Sequence, residues 1–154
     1  MDSFYAKLYL SIMERIKEEV EEINWIEQDF GQDVIDQWRP QVAFPAVLID
    51  FPDTSYNDML VNEQTAEAII RIRLMMAPYT QSYEGAPIEV IEDALSYFEI
   101  EKKIVDALHM WQPDEAYCRP LIRRRASSQN RGDIGLRIRT IDFDTAFEEV
   151  NVEE

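Results

Sequence analysis

The sequence has few of the residues on which common kinds of chemistry depend. Its 154 residues include one cysteine, Cys118, one histidine, His109, and four glycines. A single cysteine excludes an intramolecular disulfide, and a single histidine excludes most zinc sites and histidine-based triads. No glycine lies in a GxxxxGK or GxGxxG context, which excludes nucleotide binding through those phosphate loops. We therefore predict a protein that is not an enzyme and that has no cofactor and no metal.

Long apolar runs are also missing. No run approaches the roughly eighteen residues that a membrane-spanning helix needs, and the N-terminus lacks the basic region of a signal peptide. Hydrophobic residues make up 46% of the chain and charged residues 30%. This balance is typical of a soluble chain with one hydrophobic core and no membrane partner.

The spacing of apolar residues predicts two main helices. The first begins after Ser3 and runs to about Ile23. The second follows Pro87 and ends before Pro113, either as one kinked helix or as two shorter helices that meet near Glu99.

Alternating or continuous apolar stretches predict strands at 25–30, 42–51, 63–76, 121–127 and 134–143, of which the first is either a strand or an extended segment. We expect a helical turn over 33–38 and a loop over 52–62. The apolar residues change parity near Thr140, which predicts either a bulge there or a strand that outgrows its sheet. The predicted fold is α+β, a mainly antiparallel sheet of about four strands with two main helices packed on one face. Residues 1–146 form one domain, and 147–154 form an acidic tail whose composition permits disorder.

Charge is unevenly distributed along the chain. In a protein of net charge -16, the stretch Arg119–Arg139 holds seven arginines and one acid, and 141–154 then holds six acids and no base. If the arginine-bearing strands are neighbours, a shared sheet face is predicted to carry Arg71, Arg73, Arg123, Arg125, Arg137 and Arg139. On the first helix, the glutamates expected off the apolar face include Glu14, Glu18, Glu21 and Glu22. These ten residues are our candidates for a subunit interface.

Three interpretations of the arginines are open. They bind phosphate, they pair with acids of the same chain, or they pair with the acidic helix or acidic tail of another copy. The overall charge, the presence of only four lysines and the lack of interleaved aromatic residues argue against the first, so we expect no specific nucleic-acid binding. The other two interpretations remain equal.

Other candidate chemistry is sparse. Asp142 and Asp144 share one side of a predicted strand and suggest, as a distant alternative, an acid and base pair of a hydrolase. A cation site would need more oxygen ligands than the neighbouring sequence offers. We expect His109 to have a packing or surface role and Cys118 to be an unreactive thiol.

Several segments, taken in order, resemble the small tail-completion or tail-terminator proteins of tailed phages and prophages of the Bacteroidetes type. The resemblance is carried by Trp25–Gln32, Arg39-Pro40, Phe44–Phe51, Phe98–His109, Pro120–Arg123 and Ile141–Asp144. It implies a non-enzymatic virion protein, assembled in the bacterial cytoplasm, that forms a homo-oligomeric ring, commonly a hexamer, at the head-proximal end of the tail tube. The implied partners are tail-tube and head-connector proteins.

Our leading hypothesis is therefore a tail terminator or head–tail neck component. The alternative is a bacterial binding module that recognises an acidic peptide or nucleic acid through an arginine-rich sheet face.

Overall fold

The structure, a computed structural model, describes residues 2–32, 43–77, 82–114, 116–133 and 135–150. The helical turn predicted over 33–38 lies outside these ranges. In chain order the elements are α1 (Phe4–Glu19), β1 (Trp25–Gln28), β2 (Ala46–Leu60), β3 (Glu63–Met76), α2 (Ile88–Leu108), β4 (Ile122–Ser128) and β5 (Arg137–Val150).

The strands form one sheet in the order β1-β2-β3-β5-β4. β1 lies parallel to β2, and the other neighbours are antiparallel. The predicted α+β class is confirmed, with five strands in place of about four.

Both helices pack on the same face of the sheet, as predicted. Ser3 caps α1 by accepting a hydrogen bond from the Ala6 backbone, and the buried side of α1 carries Leu8, Ile12 and Ile16. α2 is a single helix from Ile88 to Leu108, without the predicted alternative of two shorter helices. The main core joins these helices to the inward residues of β2, β3 and β5, and includes Val47, Ile49, Ile70, Ile72, Ile104, Ile141 and Phe143.

The change of apolar parity along β5 has a different cause from the one predicted. β5 pairs with β3 without interruption from Arg137 to Val150, so the bulge expected near Thr140 is wrong. Ile138 instead belongs to a second, small apolar cluster, which also contains Leu48 and Met75. β5 is therefore buried on one face at its start and on the other face further along.

The loop predicted over 52–62 is also wrong, because β2 continues to Leu60 and forms a long hairpin with β3. The register shifts between Asp50 and Asp53, around Pro52. Proline has no N–H to donate, and it is tolerated at a bulge or on an edge strand. Pro52 meets both conditions. It lies at the register shift, and beyond the end of β1 the strand β2 is the outermost of the described strands and so forms the edge of the sheet.

The C-terminal part of the described chain is integrated into the sheet. β5 extends to Val150, so the domain boundary predicted after residue 146 falls inside a strand, and residues 151–154 lie outside the described ranges. Phe147 is buried and stacks on Phe4, with ring centroids 3.6 Å apart. No helix in the described ranges combines the length and apolarity needed to cross a bilayer.

Phe143 is fully buried where β5 meets the helices. We expect Phe143→Ala to lower the free energy of unfolding by about 3–5 kcal/mol, because it removes buried area and leaves a cavity. Phe30, which is 63% exposed, provides the matched control, and Phe30→Ala should change stability by no more than about 0.5 kcal/mol. Urea unfolding followed by tryptophan fluorescence measures both, and equal small losses would contradict the assignment of the core.

Candidate functional site: the charged face of the sheet

The face of the sheet opposite the helices, here called the open face, carries most of the charged strand residues. Successive residues of a strand point to opposite faces, and residues in register on neighbouring strands share a face. Because Arg71 is in register with Asp142, and Arg73 with Thr140, these four residues lie on the open face.

Arg71 and Asp142 form a bidentate ion pair across β3 and β5. Arg71 donates from Nε to Oδ1 at 2.9 Å and from Nη2 to Oδ2 at 3.2 Å. The Asp142 side chain is only 15% exposed. These hydrogen bonds raise the pKa of the Arg71 guanidinium further above its ordinary value. Partial burial acts in the opposite direction, and the negative charges of Asp142 and Asp50 add to the increase. Arg71 is therefore a fixed cation that orients Asp142.

This pair is the centre of a row of alternating charges that crosses four strands. Asp50 of β2 is in register with Arg71, and Arg125 of β4 is in register with Asp142. The charged row is thus Asp50, Arg71, Asp142 and Arg125. It begins with an acid at β2 and ends with an exposed arginine at the edge strand β4.

Two further ion pairs lie beside the charged row. Arg73 contacts Asp29, just after β1, at 3.3 Å, and both side chains are 11% exposed. Arg124 donates from Nε to Oδ2 of Asp144 at 2.7 Å. The open face therefore holds arginines whose charges are largely balanced by aspartates of the same chain.

The prediction of one arginine face is wrong for Arg123, Arg137 and Arg139. In β5 the odd-numbered residues are in register with even-numbered residues of β3, so Arg137 and Arg139 point to the helix side. Arg123 is in register with Phe143 and also lies on that side. A bulge between Arg123 and Arg125 moves the intervening Arg124 to Asp144, which the alternation in sequence did not predict.

Arg139 instead joins the sheet to α2. It donates to Glu101 from Nε at 2.8 Å, and its guanidinium lies 5.4 Å from the centre of the Phe98 ring. Its Nη1 also donates to the Ser128 hydroxyl at 2.8 Å. These contacts give Arg139 a role in packing inside the chain.

The candidate glutamates of α1 and of the turn that follows it, where the first helix ends at Glu19 and not near Ile23 as predicted, lie away from these arginine pairs. Glu14, Glu18 and Glu21 are exposed, and Glu22 binds Lys103 of α2 at 2.8 Å. Asp142 and Asp144, the first two of the six acids in 141–154, also form pairs within the chain. Of the two open interpretations, pairing within one subunit therefore describes Arg71, Arg73 and Arg139, as well as Arg124.

The remaining residues that were considered for chemistry, His109, Cys118, Asp142 and Asp144, make structural contacts or are buried. Nδ1 of His109 accepts a hydrogen bond from the Arg123 backbone at 3.1 Å, and burial raises the pKa of the Cys118 thiol. Asp142 and Asp144 lie on one face, as predicted, but each binds an arginine. A groove of about 220 Å³ at the start of β4 is lined mainly by Arg119, Arg124, Asp144 and Glu67. Among the described residues no three His, Cys, Asp or Glu side chains are grouped to hold a metal ion.

Sequence reasoning missed Asp29, Asp50 and Glu101 as arginine partners. Each is separated by more than twenty residues in sequence from the arginine it faces. Strand order brings Asp29 and Asp50 to their arginines, and the packing of α2 on the sheet brings Glu101 to Arg139. The one sequence signal for such a partner was the position of Asp50, an acidic residue that directly follows a buried apolar run.

Comparison with solved structures gives a match over nearly the whole fold. A chain from the virion of a native gene transfer agent particle superposes with a TM-score of 0.58 at 11% sequence identity. The match covers 97% of this chain and 100% of that one. No family model and no curated protein matches the sequence. The two chains therefore share a fold.

The bidentate geometry predicts measurable coupling between Arg71 and Asp142. In a double-mutant cycle of Arg71→Met and Asp142→Ala, we expect a coupling free energy of about 1 kcal/mol, at the upper end for a partly exposed pair. The exposed helical pair Lys102–Asp106 has a similar separation of 2.9 Å, and the same cycle there should give no more than about 0.3–0.5 kcal/mol. Chemical denaturation provides the free energies, and equal coupling in both pairs would contradict a special role for the charged row.

Proposed function

We propose that this protein is a structural component of a tailed phage or phage-like particle and acts without catalysis. The observation that carries the proposal is the shared fold with a gene transfer agent virion chain, which extends over 97% of this chain and all of the other. Such complete coverage in both directions means that the comparison involves the whole architecture. The location that follows from the proposal is the virion, after assembly in the bacterial cytoplasm.

Within that class, the proposed role is that of a tail terminator or head–tail neck component. The protein forms a homo-oligomeric ring, with six subunits as the expected number, between the tail tube and the head connector. The resemblance of its segments to tail-completion proteins supports this role. The charged row supports it too, because it ends in opposite charges at two different edges of one subunit.

The alternative binding module receives less support from the geometry. Recognition of an acidic peptide or nucleic acid would require several arginines free on one face. Arg71, Arg73 and Arg124 already bind aspartates, and Arg139 points to the helix side. A charged face balanced in this way favours a role in assembly over capture of a polyanion.

The proposed role predicts ring-shaped particles. Light scattering after size-exclusion chromatography should give a mass several times 18.1 kDa, and negative-stain microscopy should show closed rings. If assembly requires the tube, the same rings should form only after addition of tail-tube protein, and the two proteins should then co-purify. A protein that stays monomeric both alone and with tail-tube and head-connector proteins would contradict the proposal.

A further inference from the structure

The sheet has two exposed edges of opposite charge. One is β4, Ile122–Ser128, here called the arginine edge, which carries three consecutive arginines and no acid. The other is the part of β2 beyond its pairing with β1, residues 50–60, here called the acidic edge. It carries Asp50, Asp53 and Asp58 and no base. Among the described strands, none pairs with the outer side of either edge.

Both edges are accessible along most of their length. Residues 123–126 of the arginine edge are exposed, and so are residues 52–60 of the acidic edge apart from Thr54. An exposed strand edge presents backbone N–H and C=O groups that another strand can satisfy. The acidic edge is longer than the seven-residue β4, so it can accept the whole of that strand.

The strand directions allow copies to join in one orientation. β2 is antiparallel to β3, β3 to β5, and β5 to β4, so β4 runs antiparallel to β2. If a second copy continues the sheet in the same orientation, its acidic edge meets the arginine edge of the first copy as an antiparallel pair. This contact is head-to-tail, and repeating it closes a ring when the rotation between neighbouring copies is a whole fraction of a full turn.

Charge selects this arrangement over the symmetric ones. Two arginine edges placed together would oppose Arg123–Arg125 with themselves, and two acidic edges would oppose aspartates with aspartates. Like charges across a strand pair are destabilising. In the head-to-tail contact, Arg125 instead meets the acids at the start of the next copy's acidic edge, and the alternation of the charged row continues from one subunit to the next.

Asp53 is the best-placed acceptor on the acidic edge. It is exposed and in register with Ile69, whose neighbour in β5 is Asp144, so it lies on the open face like Arg125. Asp50 is partly buried within the charged row beside Arg71. Asp53 can therefore be changed with less effect on the fold of the subunit.

We infer that the arginine edge of one copy pairs with the acidic edge of the next, with Arg125 facing Asp53, and that this strand pairing builds the ring. The inference rests on the proposed function for the existence of a ring, and it adds which surfaces form the contact. The acidic surface of α1 is not the acceptor.

Charge reversal at the two edges tests the pairing. Arg125→Glu and Asp53→Arg should each raise the protein concentration at half-assembly by at least about tenfold, because each places like charges across the contact. The double variant, which carries complementary charges in reversed order, should assemble again. Lys17→Glu and Glu92→Arg make the same charge changes at exposed helix positions and should leave assembly unchanged. Circular dichroism of all variants verifies folding.

Mixing the single variants gives a sharper test. Each variant alone has like charges at the facing positions 125 and 53, whereas an equimolar mixture restores opposite charges at these positions in every contact of an alternating ring. Light scattering and microscopy should therefore show rings of even subunit number in the mixture and not in either component. Only a head-to-tail contact involving both positions predicts this result.

Two outcomes would overturn the inference in distinguishable ways. If the wild-type protein forms rings that neither reversal weakens, or if Glu18→Arg on α1 rescues Arg125→Glu and Asp53→Arg does not, then the edge pairing is wrong and the ring remains. If the wild-type protein forms no ring alone or with tail-tube and head-connector proteins, then the proposed function and the edge pairing both fail.

Discussion

The central strand β3 determines the arrangement of the rest of the domain. It pairs over nearly its full length with both β2 and β5, so its register fixes which residues of three strands share a face. Its even positions, including Ile70 and Ile72, are buried under the helices, and a slip of one residue would expose them and bury Arg71 instead. Burial of an unpaired arginine is far more costly than exposure of an apolar side chain. The core and the charged row therefore enforce the same register.

The fold class could be predicted from sequence because its strongest signals are local. The alternation of apolar and polar residues identifies β3 as a strand, and the spacing of apolar residues identifies α1 as a helix. Both patterns depend only on residues that are near one another in the sequence. The prediction failed where tertiary context decides. Residues 53–58 are mostly polar and, apart from Thr54, exposed, and they form a strand only because β3 provides a partner along that stretch. Similarly, Ile138 has the opposite parity from Ile141 because a small second cluster covers the start of β5 on the open face.

The site was predicted less completely than the fold, for a related reason. Sequence alone identifies arginines at alternate positions, but the face each one occupies depends on register between strands that are distant in the chain. Arg139 and Asp142 differ by three positions and so point to opposite faces, where one binds Glu101 and the other binds Arg71. The β4 bulge changes the parity again at Arg124. Charge composition thus predicted that arginines and acids would pair, and strand order together with the packing of α2 determined which partners meet.

The proposed self-association is compatible with a net charge of -16 because net charge and local charge act over different ranges. At physiological ionic strength, repulsion between exposed charges is screened beyond roughly 8 Å. An arginine and an aspartate brought into hydrogen-bond contact by paired strand edges lie well inside that distance, and backbone hydrogen bonds formed alongside are independent of net charge. The remaining acids, such as those of α1, then disfavour contacts in other orientations. In the proposed ring, a strongly acidic chain with one arginine-bearing edge would in this way be restricted to one mode of contact with its own copies.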